Sequence, residues 1–306
     1  MLQLISRQTI ADPVLKQRKL ADPDLLLKII DSAQSGLDEV HKSRLSTLFS
    51  QVLHDLRMGG AWKRTGPGRL AQTEKMLLQY LSPALRDNIT FLDLGASDGI
   101  TTLELLQAFR RAGHSVVKAY ATDLNLWLYR FRLGPLVEYR AGNGEPIMAR
   151  LGPLGLRLAK HRREIDGSDL FSAWYLGSKS FRNAMRMDTR IALVNPLVKN
   201  EPDIIVSELN CLERDEMLVG KFSAARASNV LNLGYFEPAQ IASAITHLHA
   251  YLCQDGCLVV SRNVDSSGGE VENGSVWLKR ADRFERVADF GNGSEVKEVI
   301  DNWRAR

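Results

Sequence analysis

The first third of the chain carries apolar residues three and four positions apart, the spacing of amphipathic helices. This pattern predicts a mostly helical region over Pro23–Leu81. Its clearest positions are Leu25, Leu26, Ile29 and Ile30, then Leu45, Leu48, Phe49, Val52, Leu53 and Leu56. A loop rich in glycine and proline, residues 59–68, cannot continue a helix, so we expect a separate helix over Leu70–Leu81.

After residue 88 the pattern changes to short apolar runs that alternate with helical periodicity. Such alternation predicts a mainly parallel sheet with helices on its faces, an α/β Rossmann-like fold. Ligands of such sheets bind at the carboxyl ends of the strands. The predicted strands are Thr90–Leu94, Val116–Thr122, Asp203–Glu208, Phe222–Ser228 and Cys257–Ser261, and the predicted helices between them are Thr101–Phe109 and Pro238–Cys253.

A long segment, Leu126–Arg190, interrupts this alternation after the second strand. It predicts a hairpin of Tyr129–Leu133 and Leu136–Tyr139, and its aromatic residues favour either a lid over a substrate or a dimerisation arm. A second hairpin, Ser275–Lys279 with Phe284–Val287, is expected at the sheet edge. The predicted domains are therefore an N-terminal helical domain (1–86), a core with the insertion 126–190 (87–265), and a C-terminal hairpin and tail (266–306).

Composition and charge exclude several classes of protein. The 306 residues carry a net charge of +4, and residues 126–190 alone hold 12 Lys and Arg against 6 Asp and Glu. That excess suits an anionic substrate or a nucleic acid, or is simply a solvated basic surface. Three cysteines are too few for a disulfide framework, and no zinc site is expected. No membrane-length apolar run or signal peptide is evident, so we expect a cytoplasmic protein.

The most informative stretch is the glycine-containing turn at Phe91–Ile100, which joins the first predicted strand to a helix. Glycine suits a sharp turn and the close approach of a ligand. A dinucleotide-binding turn would need glycines at 95, 97 and 100, where this chain has Gly95, Ser97 and Ile100. The carboxylate of Asp98 would repel a pyrophosphate and attract an ammonium or sulfonium group. S-adenosylmethionine carries both cations and no phosphate.

At this turn the chain resembles the class I SAM-dependent methyltransferases, whose first motif is an acidic residue followed by Gly-x-Gly-x-Gly. Ser97 replaces the middle glycine. The resemblance implies cofactor contacts from Asp93, Gly95, Ala96, Ser97, Asp98 and Gly99.

Two further residues at strand ends fit the same cofactor. Asp123 follows Gly95 by 28 residues, the spacing of a ribose-binding acid, and Leu124 would pack under the adenine. The resemblance places Asn210 at the adenine amine, and the alternative is an ordinary turn asparagine.

The run 226–236 resembles the fourth-strand motif of chemotaxis receptor methyltransferases, with Ser228 where that motif has arginine. The resemblance places Asn229 and Val230 beside the methionine moiety, and Tyr235 and Asn229 nearest the methyl group. A strand-end asparagine that caps a helix is the alternative for Asn229. The same family implies Arg64 as the partner of the cofactor carboxylate, with a surface loop arginine as the alternative.

These observations predict a SAM-dependent methyltransferase with a small-molecule acceptor, which carries a carboxylate or phosphate if the basic insertion faces it. A chemotaxis-type protein carboxyl methyltransferase and a catalytically silent SAM-binding protein are the alternatives. A nucleic-acid methyltransferase and a NAD-dependent dehydrogenase rank below these. Neither a metal nor a membrane partner is expected, and a homodimer is one option.

Overall fold

The computed structural model describes residues 23–33, 38–54, 56–58, 61–63, 65–151, 154–158, 174–266 and 269–305. The chain forms two compact units, each assembled from two separate segments. The antiparallel-sheet unit comprises Met1–Gly66 and Asn125–Leu197, and the parallel-sheet unit comprises Pro67–Leu124 and Val198–Arg306.

The described elements mix helices and strands throughout the chain. The helices are α1 (Pro23–Ala33), α2 (Glu39–His54), α3 (Ala71–Tyr80), α4 (Ile100–Arg111), α5 (Lys179–Asn183), α6 (Pro196–Lys199), α7 (Pro238–Tyr251) and α8 (Lys297–Asn302). The strands are β1 (Arg57–Met58), β2 (Ala61–Trp62), β3 (Ile89–Leu94), β4 (Val116–Asp123), β5 (Trp127–Leu133), β6 (Leu136–Ala141), β7 (Pro146–Leu151), β8 (Leu154–Arg157), β9 (Arg186–Ala192), β10 (Ile204–Glu208), β11 (Phe222–Ser228), β12 (Leu252–Ser266), β13 (Gly269–Lys279) and β14 (Phe284–Phe290).

The parallel-sheet unit has seven strands in the order β10-β4-β3-β11-β12-β13-β14. The first five are parallel, and β13 and β14 form the antiparallel hairpin that the sequence predicts. Numbered along the chain, the parallel strands run 3-2-1-4-5, which reverses between β3 and β11 as in doubly wound sheets. The predicted Rossmann-like α/β fold is confirmed. Sheets of this kind bind ligands at the carboxyl ends of their strands, so the ends of β3, β4 and β11 are where a site is expected.

The two faces of this sheet are covered differently, because successive strand residues point to opposite sides. On one face an apolar core joins β3, β11 and β12 to α7 and α8. On the other face Phe91 packs against Phe109 of α4, with ring centroids 5.7 Å apart. The β3 and β11 residues on this second face include Asp93 and Arg226, which lie opposite each other in register.

The boundaries near α7 differ slightly from the prediction. The helix begins at Pro238 with a capping box of Glu237 and Gln240, and it ends at Tyr251. Strand β12 then starts at once, at Leu252, whereas the sequence predicts a helix to Cys253 and a strand from Cys257. The start of the strand is irregular, because Asp255 has φ of 61° and the register shifts opposite Phe222 and Ala224.

The antiparallel-sheet unit contains a five-stranded sheet in the order β8-β7-β6-β5-β9, and β1 and β2 pair separately. The predicted hairpin in the insertion is confirmed as β5 paired with β6. Helices α1 and α2 share one apolar core with these strands, in which Phe49 and Tyr139 are fully buried. This unit therefore groups the N-terminal helices with the insertion, which the predicted domains place on opposite sides of residue 86.

Candidate functional site

The glycine turn lies between β3 and α4, at the carboxyl edge of the parallel sheet. Its backbone is tied to the neighbouring strand, because the N–H groups of Gly95 and Ala96 both donate to the Thr122 carbonyl, at 2.8 and 2.9 Å. Gly95, Ser97 and Gly99 all have positive φ, at 73°, 58° and 82°. Three left-handed residues in five make a sharply coiled turn, and a left-handed serine is strained relative to glycine.

Val230 packs closely against Gly95 and Val198 against Gly99, and a Cβ atom on either glycine would collide with its valine. A Cβ atom on Gly95 would lie 2.9 Å from Cβ of Val230, and one on Gly99 would lie 2.8 Å from Cγ1 of Val198. The predicted need for a sharp turn is therefore met. The close approach at these glycines is made by two valines of the same unit.

Two carboxylates are hydrogen-bonded to the turn. Asp98 is almost fully buried, and its Oδ1 accepts from the Ile100 N–H at 3.1 Å, in the first turn of α4. Asp123, half-buried at the end of β4, accepts from the Ser97 N–H through Oδ2 at 2.9 Å. The Ser97 hydroxyl oxygen is buried and has no hydrogen-bond partner among the described residues. The turn therefore offers carboxylates and one unsatisfied hydroxyl.

Asp93 precedes the turn, but its carboxylate is engaged beneath the sheet edge. Arg226 donates from Nε to Asp93 Oδ1 at 3.0 Å and from Nη2 to Asp93 Oδ2, and Thr102 donates to Oδ2 at 2.6 Å. Burial lowers the pKa of Arg226, but the Asp93 carboxylate, with smaller contributions from Glu74 and Glu104, raises it above its ordinary value. Arg226 is therefore held in its protonated form.

Two half-buried glutamates face the same interior. Burial raises the pKa of Glu74 on α3 to about 7, an effect that the charge of Arg226 opposes. Burial also raises the pKa of Glu104 on α4, although the Gly68 N–H donates to both of its oxygens, at 2.8 and 3.0 Å.

The carboxyl end of β11 is fixed by a pair of asparagines. Asn229 has φ of 63°, its Nδ2 donates to Asn263 Oδ1 at 2.9 Å, and its Oδ1 accepts from the Asn263 N–H at 2.8 Å. Asn263 in turn donates to the Arg69 carbonyl at 3.1 Å. The side-chain amide of Asn229 thus joins β11 to β12. Tyr235 is 45% exposed, and its hydroxyl has no hydrogen-bond partner among the described residues.

The remaining predicted residues differ in their surroundings. Leu124 is 60% exposed directly after β4. Asn210 is engaged locally, because its Nδ2 donates to Glu213 at 2.7 Å and its Oδ1 accepts from the Leu212 N–H at 3.1 Å. Arg64 lies outside the described residues. The turn, Asp123 and Val230 come together at one sheet edge, whereas Asp93 and Asn210 bind other protein groups.

Arg226 and Asn263 are the residues near the turn that sequence reasoning did not single out. A signal for Arg226 was present, because it stands in the middle of the otherwise small or apolar strand Phe222–Ser228. A charge in a strand covered on both faces is rarely fully buried without a partner. Asn263 offered no comparable signal, because its partner is 34 residues away in the sequence.

Among the described residues, no group of three or more His, Cys, Asp or Glu side chains is arranged to hold a metal ion. Within that same part of the chain, no helix has the length and apolar character needed to cross a membrane.

Comparison with known proteins gives similarities of fold. No family model matches the chain, and no curated protein matches its sequence. Among solved structures, the CMeT domain of the citrinin polyketide synthase aligns over 75% of this chain and 41% of its own length, with 15% identity and a TM-score of 0.33.

Two further solved structures align at a similar level. A SAM-dependent methyltransferase of Methanosarcina mazei aligns over 61% of this chain and 56% of its own, with 12% identity and a TM-score of 0.32. The [4+2]-cyclase SpnF aligns over 64% of this chain and 46% of its own, with 11% identity and a TM-score of 0.29. The likeness is one of fold. The chain spans about half the length of these proteins. Proteins of one fold carry out different reactions, so the fold alone does not determine the activity.

Proposed function

We propose that the parallel-sheet unit binds S-adenosylmethionine at the glycine turn and that the protein transfers its methyl group to a small-molecule acceptor. The observation that carries this proposal is the position of Asp98. In dinucleotide-binding folds the N-terminus of the helix after the first strand receives a pyrophosphate. Here the carboxylate of Asp98 accepts from the Ile100 N–H at that position. A negative charge at this place disfavours a phosphate and favours a cationic cofactor.

The groups around the turn fit such a cofactor. Asp123, at the end of β4, is a hydrogen-bond acceptor of the kind that ribose hydroxyls require. The buried Ser97 hydroxyl can donate to the cofactor and so gain the partner that it lacks among the described residues. Leu124, exposed directly after Asp123, offers an apolar surface for the adenine ring. We assign these three residues to the cofactor.

When bound, S-adenosylmethionine supplies a methyl group that its sulfonium already activates. The protein then has to align the acceptor, exclude water and hold any proton that the acceptor loses. Tyr235 is the candidate for aligning the acceptor, because its exposed phenol stands in the loop after β11, has no partner among the described residues and can donate or accept a hydrogen bond. Asn229, whose side chain is bound by Asn263, contributes through the shape of that loop.

Within the antiparallel-sheet unit, taken by itself, the arginines of the insertion differ in their availability to an anionic ligand. Arg130, Arg132, Arg140 and Arg182 are paired with carboxylates. Arg190 differs, since its guanidinium lies 3.4 Å above the ring of Trp127 and forms no ion pair with a described residue. A guanidinium held flat on a ring keeps its N–H edges available for a carboxylate or phosphate.

Isothermal titration calorimetry with S-adenosylhomocysteine and with NAD tests the cofactor assignment. We expect binding of S-adenosylhomocysteine and no measurable binding of NAD, because Asp98 repels the pyrophosphate. Binding of NAD without binding of S-adenosylhomocysteine would overturn the proposal. Transfer of a radiolabelled methyl group to candidate acceptors then distinguishes an active enzyme from a silent binding protein.

The variants Asp123→Ala and Asn210→Ala sharpen the same measurement. A carboxylate that bonds both ribose hydroxyls contributes two charge-assisted hydrogen bonds of about 1.5–3 kcal/mol each. The side-chain amide of Asn210 is already hydrogen-bonded to Glu213 and to the Leu212 N–H. We therefore expect Asp123→Ala to weaken the binding of S-adenosylhomocysteine far more than Asn210→Ala does. Equal and negligible losses would remove Asp123 from the site.

A further inference from the structure

One side chain touches both ends of the glycine turn. Arg226 is fully buried in β11 and contacts both carboxylate oxygens of Asp93, two residues before Gly95. Its Nη2 also donates to Thr101 Oγ1 at 3.1 Å, two residues after Gly99. Thr102 completes the contact, since its hydroxyl donates to Asp93 at 2.6 Å. A single guanidinium therefore joins the strand before the turn to the helix after it.

The turn between these two ends needs external support. Gly95 and Gly99 adopt left-handed conformations readily, but Ser97 between them also has a positive φ, which is strained for a residue with a side chain and persists only where the surrounding structure determines it. On one side the Thr122 carbonyl fixes the N–H groups of Gly95 and Ala96. Arg226 fixes the other side, by setting the separation between Asp93 and Thr101.

The electrostatics of the pair favour a geometric role over a purely stabilising one. Removing two charges from water often offsets the attraction between them, so that apolar replacements of buried ion pairs can be neutral. Arg226 Nη1 is moreover buried without a hydrogen-bond partner among the described residues. A buried donor without a partner costs free energy of folding, so it lowers the net stabilisation that the pair provides. The planar, two-point geometry of the guanidinium is what lysine or an apolar pair could not reproduce.

We propose that Arg226 is a positioning residue, which holds Asp93 and Thr101 at the separation that the turn requires to bind its cofactor. The inference rests on the proposed function for the identity of the ligand, but it makes a separate claim about the turn itself. Arg226 touches no cofactor atom in this account and acts through Asp93, Thr101 and the turn between them.

The test compares Arg226→Lys with Arg182→Lys. Both variants keep the charge and lose a guanidinium that contacts a buried carboxylate, Asp93 in one case and Glu138 in the other. Each is measured below its unfolding temperature, by calorimetry with S-adenosylhomocysteine and by hydrogen exchange of the free protein. We expect Arg226→Lys to weaken binding by about tenfold or more and to speed exchange at Gly95 and Ala96. Arg182→Lys should change neither readout.

The outcomes separate this inference from the proposed function. If the wild-type protein binds S-adenosylhomocysteine and a folded Arg226→Lys variant binds it equally well, the positioning role is overturned. If the wild-type protein does not bind it, the proposed function fails, and hydrogen exchange alone decides. Faster exchange at the turn in Arg226→Lys but not in Arg182→Lys then supports the positioning role, and unchanged exchange overturns it. Should Arg226→Lys not fold, Thr101→Val takes its place, because it removes only the helix-side contact.

Discussion

Both units of the chain bury a carboxylate against arginine, but the two carboxylates hold different kinds of structure. In the parallel-sheet unit one fully buried guanidinium, Arg226, grips Asp93 at the base of a strained turn. In the antiparallel-sheet unit two half-buried arginines, Arg140 and Arg182, share the fully buried Glu138 of β6. Similar chemistry thus serves a turn in one unit and a sheet face in the other.

The surroundings of Glu138 indicate a packing role. The guanidinium of Arg140 lies 3.9 Å from the ring centre of Phe131 on β5, and that of Arg182 lies 6.0 Å from the ring centre of Tyr175. The two guanidinium groups therefore lie over aromatic rings, Phe131 on a strand and Tyr175 outside the sheet. We interpret the Arg226 pair as the one related to a site, because the backbone beside it includes the left-handed Ser97.

The largest expected effect is the loss of folding stability when the ion pair of Asp93 with Arg226 is broken. Arg226→Leu leaves Asp93 buried without its counter-charge, which should cost about 3–5 kcal/mol in free energy of unfolding. Glu138→Gln leaves two arginines that are 17–18% exposed and can reach water, so a loss of about 2 kcal/mol is expected. Urea denaturation measures both. Equal losses would mean that the two ion pairs contribute equally to folding stability. A double variant, Asp93→Asn/Arg226→Leu, should recover part of the stability that Arg226→Leu loses.

A second effect concerns the turn itself. Gly99→Ala meets both the positive φ and the Val198 side chain at 2.8 Å, whereas Gly113→Ala meets a similar φ of 78° and open space. We expect a loss of about 2–4 kcal/mol for Gly99→Ala and about 1 kcal/mol for Gly113→Ala. Thermal unfolding of the two variants isolates the clash. A Gly99→Ala variant as stable as Gly113→Ala would show that Val198 moves aside without penalty.

The smallest effect is a pH dependence of stability that comes from the parallel-sheet unit. Because the pKa of Glu74 is raised to about 7 from an ordinary 4.5, the folded state holds its proton more tightly than the unfolded state. Stability is therefore lost as the pH rises from about 4.5 through about 7. Glu74→Gln should flatten this slope, and the exposed Glu298→Gln should not. A slope that persists in Glu74→Gln would assign it to another group.

The local elements of the fold could be predicted from the sequence, because a helix, strand or turn is largely determined by residues that are close together in the chain. The strand before the turn, the hairpin Trp127–Leu133 with Leu136–Ala141, and the start of α7 at Pro238 all follow from such patterns. The packing of α1 and α2 on the insertion strands could not be predicted in the same way. It depends on which apolar faces meet across a hundred residues, and periodicity shows only that each face is apolar.

The candidate site shows the same division. The turn and the acid at the end of β4 lie where their spacing predicted, because parallel strands bring their carboxyl ends to one edge. The partners of Asp93, Asn210 and Asn229 could not be read from the sequence, because they depend on side-chain geometry. Arg226 and Asn263 hydrogen-bond to the side chains of Asp93 and Asn229, two residues that are predicted to lie at the cofactor.

Hydrogen exchange with and without S-adenosylhomocysteine tests whether the glycine turn is the cofactor site, because it reads both units in one experiment. We expect the ligand to slow exchange over residues 94–100 and 123–124 of the parallel-sheet unit. Exchange in strands β5 and β6, which carry Phe131 and Glu138, should stay unchanged. Protection confined to the antiparallel-sheet unit, or no protection at saturating ligand, would contradict the assignment of the glycine turn as the cofactor site.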